Sequence, residues 1–176
     1  MSSPPLRKPS RWVQWTVVPL LILVPIFYVI ISAEQSRDGG EQKQKQAAAT
    51  TLTYLWPTKV QRRIYEVPIP ARSRPVAYLE TNNWAASSLY VQFTTSQGGL
   101  DTFLAQVGSS RAALRDGAVT VSRKQARTVR WAFDSGQHWA GVRLEQHGDK
   151  PDHDITVDLS SPDAPVVYVV STMDFG

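Results

Sequence analysis

The sequence contains no cysteine. This absence excludes a disulfide framework, thiolate catalysis and any zinc or iron–sulfur site with cysteine ligands. Other signatures are missing as well: there is no GxSxG nucleophile elbow, no HExxH or EF-hand pattern, and no GxxxxGK[ST] or GxGxxG phosphate loop. Because the common sequence signatures of catalysis are absent, we expect neither an enzyme nor a cofactor.

Acidic residues are absent from residues 1–33, where Arg7, Lys8 and Arg11 supply +3 of the chain's net charge of +4. The rest of the chain carries 16 basic and 15 acidic side chains and is close to neutral. A nucleic-acid-binding protein is expected to concentrate positive charge on its folded part. We therefore expect no nucleic-acid partner.

Residues 12–33 lack charged side chains altogether. A helix of this length is roughly 33 Å long, enough to cross a hydrocarbon core of about 30 Å. Bases precede the run, so the positive-inside rule predicts a single-pass protein of the cytoplasmic membrane, with its N-terminus inside and the remaining chain outside. The side chains expected at the membrane interface are Arg7, Lys8, Arg11, Trp12, Trp15 and Tyr28.

A cleavable signal peptide is the alternative to a retained anchor. Ile31, Ser32 and Ala33 loosely fit a processing site, after which the domain would be secreted. The apolar run, however, is longer than the 7–15 residues typical of a signal peptide, which favours a retained signal anchor. Both alternatives place the domain outside the cytoplasm.

The composition divides the chain into four parts: a cytoplasmic tail (1–11), a transmembrane helix (12–33), a linker (34–58) and an extracytoplasmic domain (59–176). The first part of the linker, residues 34–49, is polar and has almost no apolar side chains, so it cannot bury a face. Within it, residues 41–55 have fair helix propensity, and a helix there would end before Pro57.

Alternating apolar residues and turn signals predict mostly strands in the domain. Strands are predicted at residues 64–69 (an edge strand or extended coil), 75–81, 89–94, 118–122, 129–133, 140–145, 155–159 and 166–170, the last in the middle of the sheet. Turns are predicted at residues 82–83, 134–137 and 160–165.

Leu100, Phe103, Leu104 and Val107 have helical spacing and predict the principal helix, with a second short helix from residue 109 or 110 to 114. The predicted fold class is therefore α+β: an antiparallel sheet with one principal helix packed on it, following the N-terminal transmembrane helix.

The segment His147–Asp154 is the best candidate for catalysis or metal binding, since it holds His147, Asp149, Asp152, His153 and Asp154. A membrane-anchored hydrolase or metal-binding domain is the corresponding alternative function. The spacing matches no known metal motif, and neighbouring residues that enter a strand point to opposite faces. A solvated turn is the simpler interpretation, and we assign no metal ligand.

Basic residues are concentrated between residues 111 and 130, with a local charge of +5, whereas residues 131–176 have a local charge of −6. These regions either neutralise one another, remain solvated, or present an anion-binding patch at Arg123, Lys124, Arg127 and Arg130. Such a patch would bind an anionic surface, either lipid headgroups or an acidic envelope polymer.

Trp84, Trp131 and Trp139 are candidates for lining a ligand groove, although core packing also explains Trp131. The expected partners are the lipid bilayer and an envelope protein or anionic surface. The expected role is binding or assembly in the cell envelope.

Overall fold

A computed structural model describes residues 51–175 of the chain. None of the helices in this range has the length and apolar composition that crossing a bilayer requires. The predicted transmembrane segment at 12–33 and the six interface residues lie outside the described residues. The anchor therefore stays a prediction from sequence.

The core of the fold is a six-stranded antiparallel sheet in the order β1-β2-β6-β5-β4-β3. Its strands are β1 (Val76–Asn82), β2 (Ala86–Thr94), β3 (Arg115–Asp116), β4 (Trp139–Leu144), β5 (Asp152–Asp158) and β6 (Val166–Asp174). The run Val166 to Val170 lies in β6, between β2 and β5, where both faces of the sheet are covered. Its continuous apolar sequence had predicted this central position.

Three helices accompany the sheet: α1 (Lys59–Ile64), α2 (Gln97–Gln106) and α3 (Arg123–Val129), with a 3₁₀ turn at Arg111–Ala113. Helix α2 is the predicted principal helix. Ser96 caps its N-terminus by accepting a hydrogen bond from the Gly99 amide, and Gly108 follows its end with a φ of +78°.

The two faces of the sheet are covered differently. Helix α2 places Leu100, Phe103 and Leu104 on the first face, against alternate side chains of the strands, and residues 65–69 complete that cover. Helix α3 and the segment that follows it cover the second face, where Ala126, Val129 and Trp131 pack on Tyr90 and Val170. The α+β class and the antiparallel sheet are thus confirmed.

Several local predictions are wrong. Ile64 ends helix α1, and Tyr65 and Glu66 form a turn, so only residues 67–69 match the extended-coil alternative for this segment, without strand pairing. Residues 118–122 form a loop, and the strand predicted at 129–133 is replaced by the last residue of α3 and a coil. The second short helix is a 3₁₀ turn of three residues.

The described part of the predicted linker contacts the domain. The amide of Thr53 donates to the Tyr78 carbonyl at 2.8 Å, and the Tyr78 amide donates to the Thr53 carbonyl at 2.9 Å. Leu52 packs against the cluster on the second face. Residues 51–55 form no helix, contrary to their propensity, because this pairing at the free edge of β1 requires extended backbone.

Candidate binding site

The four residues predicted as an anion-binding patch lie on one short element. Arg123, Lys124 and Arg127 belong to α3, Arg130 caps its C-terminus, and all four are exposed. Their sequence spacing places Arg123 and Arg127 one helical turn apart, and Arg127 and Arg130 likewise. The four basic residues thus lie together on one element, to which the sequence patterns assigned no helix, and their role in binding stays a prediction.

Helix α3 is held firmly on the second face of the sheet. Ser122 and Gln125 form a capping box, in which the Ser122 amide donates to Gln125 Oε1 at 2.7 Å and the Gln125 amide donates to Ser122 Oγ at 3.3 Å. The side-chain amide of Gln125 also donates to Asp154 Oδ2 on β5 at 2.9 Å. Ala126 and Val129, on the side of the helix that faces the sheet, are buried.

Arg130 has left-handed backbone geometry, with φ of +58° and ψ of +34°. Helices commonly use glycine after their last turn for this conformation, because a side chain there is strained. The helix end is closed by the Trp131 amide, which donates to the Ala126 carbonyl at 2.9 Å. An arginine at this position adds a fourth positive charge to the patch at some conformational cost.

A groove of about 560 Å³ opens beside α3. We call it the basic groove; its lining residues are Val119, Val121, Ser122, Arg123, Ala126, Arg127, Trp131 and Phe133. Two guanidinium groups of the predicted patch thus border a concave surface whose other walls are mainly apolar and aromatic. A ligand in this groove would contact guanidinium groups on one side and apolar side chains on the other.

An aromatic cluster lies beneath the groove. The rings of Tyr90, Trp131, Phe133, Trp139 and Tyr168 contact one another edge to face, with centroids 5.1–6.3 Å apart. Burial raises the pKa of Tyr168, so this phenol stays neutral at physiological pH.

Both buried indoles of this cluster donate hydrogen bonds within the domain: Trp131 Nε1 to Gln92 Oε1 at 3.0 Å, and Trp139 Nε1 to the Asp134 carbonyl at 2.7 Å. Trp131 therefore serves both the core and the groove, whereas Trp139 is buried outside the groove. Trp84 is 94% exposed in the turn between β1 and β2 and does not join them.

Residues 118–121 form the wall opposite α3, lying across β4 and β5. Thr120 Oγ1 donates to the Ile155 carbonyl at 2.7 Å, and the Thr120 amide donates to Thr156 Oγ1 at 3.0 Å. This close approach requires glycine at position 141, since a Cβ atom there would lie 2.8 Å from the Ala118 carbonyl oxygen. The wall is thus fixed by hydrogen bonds and by the absence of one side chain.

The bases of α3 have no carboxylate partner within residues 51–175. The ion pairs found there join Arg111 to Asp101 and Arg143 to Asp154, and His138 Nε2 lies 2.6 Å from Asp116 Oδ1. The Arg143–Asp154 pair has an N–O distance of 2.6 Å and raises the pKa of Arg143. Direct neutralisation between the basic and acidic segments is therefore not observed at the patch in this range.

The alternative site at His147–Asp154 is divided by the sheet. His153 is 1% exposed on the first face, where its Nε2 donates to the Tyr65 carbonyl at 3.0 Å and its Nδ1 accepts from Gln146 Nε2 at 3.3 Å. Asp154 points to the second face, towards Arg143 and Gln125. The described part of the chain contains no group of three or more histidine or acidic side chains placed to hold a metal ion.

Part of the groove could not be recognised from the sequence patterns. Val119, Val121 and Phe133 were assigned to strands, and Ser122 was not recognised as a helix cap. The Ser122-x-x-Gln125 pattern is a capping-box signal, and it could have identified the start of α3. Proximity of residues 119–121 to residues 131–133 is a tertiary contact that local sequence patterns do not encode.

The basic groove combines cations that have no carboxylate partner within residues 51–175 with an apolar, aromatic wall, an arrangement that can hold an anionic ligand. Comparison with known proteins adds no functional assignment: no family model, no curated protein and no solved structure is significantly similar to this chain.

Proposed function

We propose that the chain is a single-pass protein of the cytoplasmic membrane whose exported domain binds an acidic envelope polymer in the basic groove. The topology is supported by the uncharged run at 12–33 and by the bases that precede it. The anchor would hold the groove near the bilayer and raise its effective concentration for ligands attached to the envelope.

The observation that carries the binding function is the unpaired charge on α3. Like charges one turn apart destabilise a helix by about 0.2–0.5 kcal/mol per pair, and bases in the first turn oppose the helix dipole. Arg123 and Lys124 occupy that first turn, and Arg127 lies one turn beyond Arg123. An anionic ligand would remove this repulsion, so the arrangement fits a binding site better than a purely structural helix.

The shape of the site favours a polymer over a flat surface. Arg123 and Arg127 border a concavity, and Lys124 and Arg130 extend the positive charge beyond it along the same element. An extended anionic chain with spaced charges can follow such a track, whereas the headgroups of a planar bilayer would not enter the groove. The apolar wall at Phe133 and Trp131 would contact the carbon backbone of the polymer.

The binding test uses the full-length protein in nanodiscs with fluorescently labelled poly-L-glutamate, a polyanion with a carbon-containing backbone. The double variant Arg123→Gln with Arg127→Gln should bind at least about tenfold more weakly, a loss of about 1.4 kcal/mol. Arg72→Gln with Arg74→Gln is the matched control, because it removes the same charge from two exposed positions outside the groove. Equal weakening in both variants would contradict a specific site.

Ionic strength provides a second criterion for the same interaction. Because exposed charges are screened over about 10 Å at 0.1 M salt, binding should weaken as salt is added. Binding that ignores salt would contradict the proposal. The mass of the mature protein separately distinguishes a retained anchor from a domain released after Ala33.

A further inference from the structure

Exposed apolar side chains are concentrated where the described chain begins. Eight large apolar residues are exposed within residues 51–175, and five of them fall between residues 54 and 64. These five are Tyr54 (75% exposed), Leu55 (64%), Trp56 (37%), Val60 (65%) and Ile64 (49%). A cluster of exposed apolar side chains of this kind usually marks an interaction surface.

Helix α1 presents part of this surface on one side. At 100° per residue, Lys59, Arg63, Val60 and Ile64 fall on one continuous arc, and all four are exposed. Gln61 lies on the opposite arc and is buried. The outer side of α1 therefore carries two cations beside two aliphatic side chains.

The inner side of α1 is tied to the sheet. Gln61 Nε2 donates to Glu80 Oε2 at 2.6 Å, and the Tyr65 hydroxyl donates to Glu80 Oε1 at 2.8 Å. The Tyr65 carbonyl accepts hydrogen bonds from Ser171 Oγ at 2.6 Å and from His153 Nε2 at 3.0 Å. Burial raises the pKa of Tyr65 to about 12, so its hydroxyl remains a donor. These bonds fix the direction in which the outer side of α1 faces.

The segment is cationic as well as apolar. Lys59, Arg62 and Arg63 contribute three positive charges, and no acid occurs between residues 54 and 65. The Arg62 guanidinium lies 5.5 Å from the centre of the Trp56 ring, which joins Trp56 to the helix. Arg62 Nε is buried and has no hydrogen-bond partner among the described residues, so they do not satisfy every donor of this guanidinium.

We propose that Tyr54, Leu55, Trp56, Lys59, Val60, Arg63 and Ile64, the juxtamembrane face, rest on the anionic lipid surface of the membrane that carries the anchor. This inference rests on the proposed membrane anchor. Aromatic and aliphatic side chains interleaved with Lys and Arg are the composition of segments that lie in the interfacial region of a bilayer. Each base near such a surface is attracted to acidic headgroups.

Chain length places this face within reach of the bilayer. Twenty residues separate the end of the predicted span at Ala33 from Tyr54. Even fully extended, a chain of twenty residues spans at most about 70 Å. Contact with lipid is therefore nearly intramolecular, and a weakly binding face would be occupied for much of the time. The basic groove, on the other side of the sheet, stays available for a separate ligand.

The test uses single-cysteine variants, which the cysteine-free sequence makes specific. Ile64→Cys and the control Ser161→Cys are each labelled with an environment-sensitive fluorophore in the full chain. Both sites are exposed. Helix α1 is attached near Ser171, at one end of strands β5 and β6. Ser161 lies in the loop at the opposite end of these two strands. The proteins are reconstituted in vesicles of phosphatidylglycerol and phosphatidylcholine, with phosphatidylcholine alone as the comparison.

The Ile64 label should shift to shorter wavelength in the anionic vesicles and be quenched by doxyl-labelled lipid about twofold or more, whereas the Ser161 label should stay aqueous. Lys59→Gln with Arg63→Gln should reverse most of that quenching. Equal emission at the two sites in protein that co-floats with vesicles would overturn the juxtamembrane face but leave the anchor standing. Failure to co-float would overturn both.

Discussion

The two faces of the sheet are built from the same strands but differ in how they are closed. On the first face Phe93, Leu100, Phe103 and Leu104 are fully buried, and aliphatic side chains fill the space between them. On the second face an edge-to-face aromatic cluster lies under a short helix, and a groove remains open beside it. The first face is thus filled throughout, whereas the second face combines a buried cluster with an open groove.

The largest expected effect contrasts two phenylalanines. Phe103→Ala should lower the free energy of unfolding by about 3–5 kcal/mol, because it removes a fully buried ring. The centre of this ring lies 5.3 Å from the centre of the Phe93 ring. Phe133→Ala should cost less, about 1–2 kcal/mol, since Phe133 is only partly buried at the edge of the groove. Chemical denaturation measures both, and equal losses would contradict the assignment of the two faces.

Gly141→Ala should have the next largest effect. Its Cβ would meet the Ala118 carbonyl oxygen at 2.8 Å, so the wall at residues 118–121 must shift, at a cost of about 1–3 kcal/mol. Polyanion binding should fall with it, because that wall lines the groove. Gly98→Ala is the control, since nothing lies within 4 Å of its Cβ position. If Gly141→Ala were as benign as Gly98→Ala, the close crossing would be wrong.

His153, which is buried on the first face of the sheet, should make the free energy of unfolding depend on pH. Burial lowers the pKa of His153 below 6.5, against the opposing influence of the Tyr65 and Glu66 carbonyls and of the Glu66 and Asp152 carboxylates. The unfolded chain then binds a proton that the folded chain does not. Stability should therefore fall as pH drops below about 6.5, by at most about 1.4 kcal/mol per pH unit.

The control for this pH dependence is His153→Gln, which keeps a side-chain donor but cannot titrate. The free energy of unfolding is measured by denaturation between pH 7.5 and pH 5.5, values that bracket the unperturbed histidine pKa of about 6.5. It should change less with pH in the variant than in the wild type. Parallel curves would show that His153 is not held neutral in the core.

The smallest expected effect concerns Arg130. Glycine relieves the left-handed strain at φ of +58° but adds entropy to the unfolded chain, so Arg130→Gly should leave stability unchanged or raise it by up to about 1 kcal/mol. Polyanion affinity should decrease, since one charge of the patch is lost. A variant that is less stable yet binds normally would give Arg130 a structural role instead.

The sheet could be predicted from sequence because its pattern is local. Leu89, Val91 and Phe93 alternate, Val166 to Val170 is apolar throughout, and both features specify where the strands lie. The helix α2 follows from Leu100, Phe103, Leu104 and Val107 in the same way. In these elements the apolar side chains recur at strand or helical spacing and are the ones buried in the core, so the sequence pattern predicts the element.

Helices α1 and α3 were missed because they are short and mostly exposed. With only one or two buried residues each, they have too little apolar periodicity to outweigh the β-branched residues around them. Their signal was instead the capping box, Thr58-x-x-Gln61 and Ser122-x-x-Gln125. The bases of the site were found from composition, whereas the groove depends on contacts between segments distant in sequence.

The most direct test of the account is the sidedness of the domain in intact cells. Ser3→Cys and Ser161→Cys, each the single cysteine of its chain, are exposed to a membrane-impermeant maleimide before and after permeabilisation. The account predicts that Ser161→Cys is labelled in intact cells and that Ser3→Cys is labelled only after permeabilisation. Labelling of Ser161→Cys only after permeabilisation would place the basic groove inside the cell and contradict the proposed function.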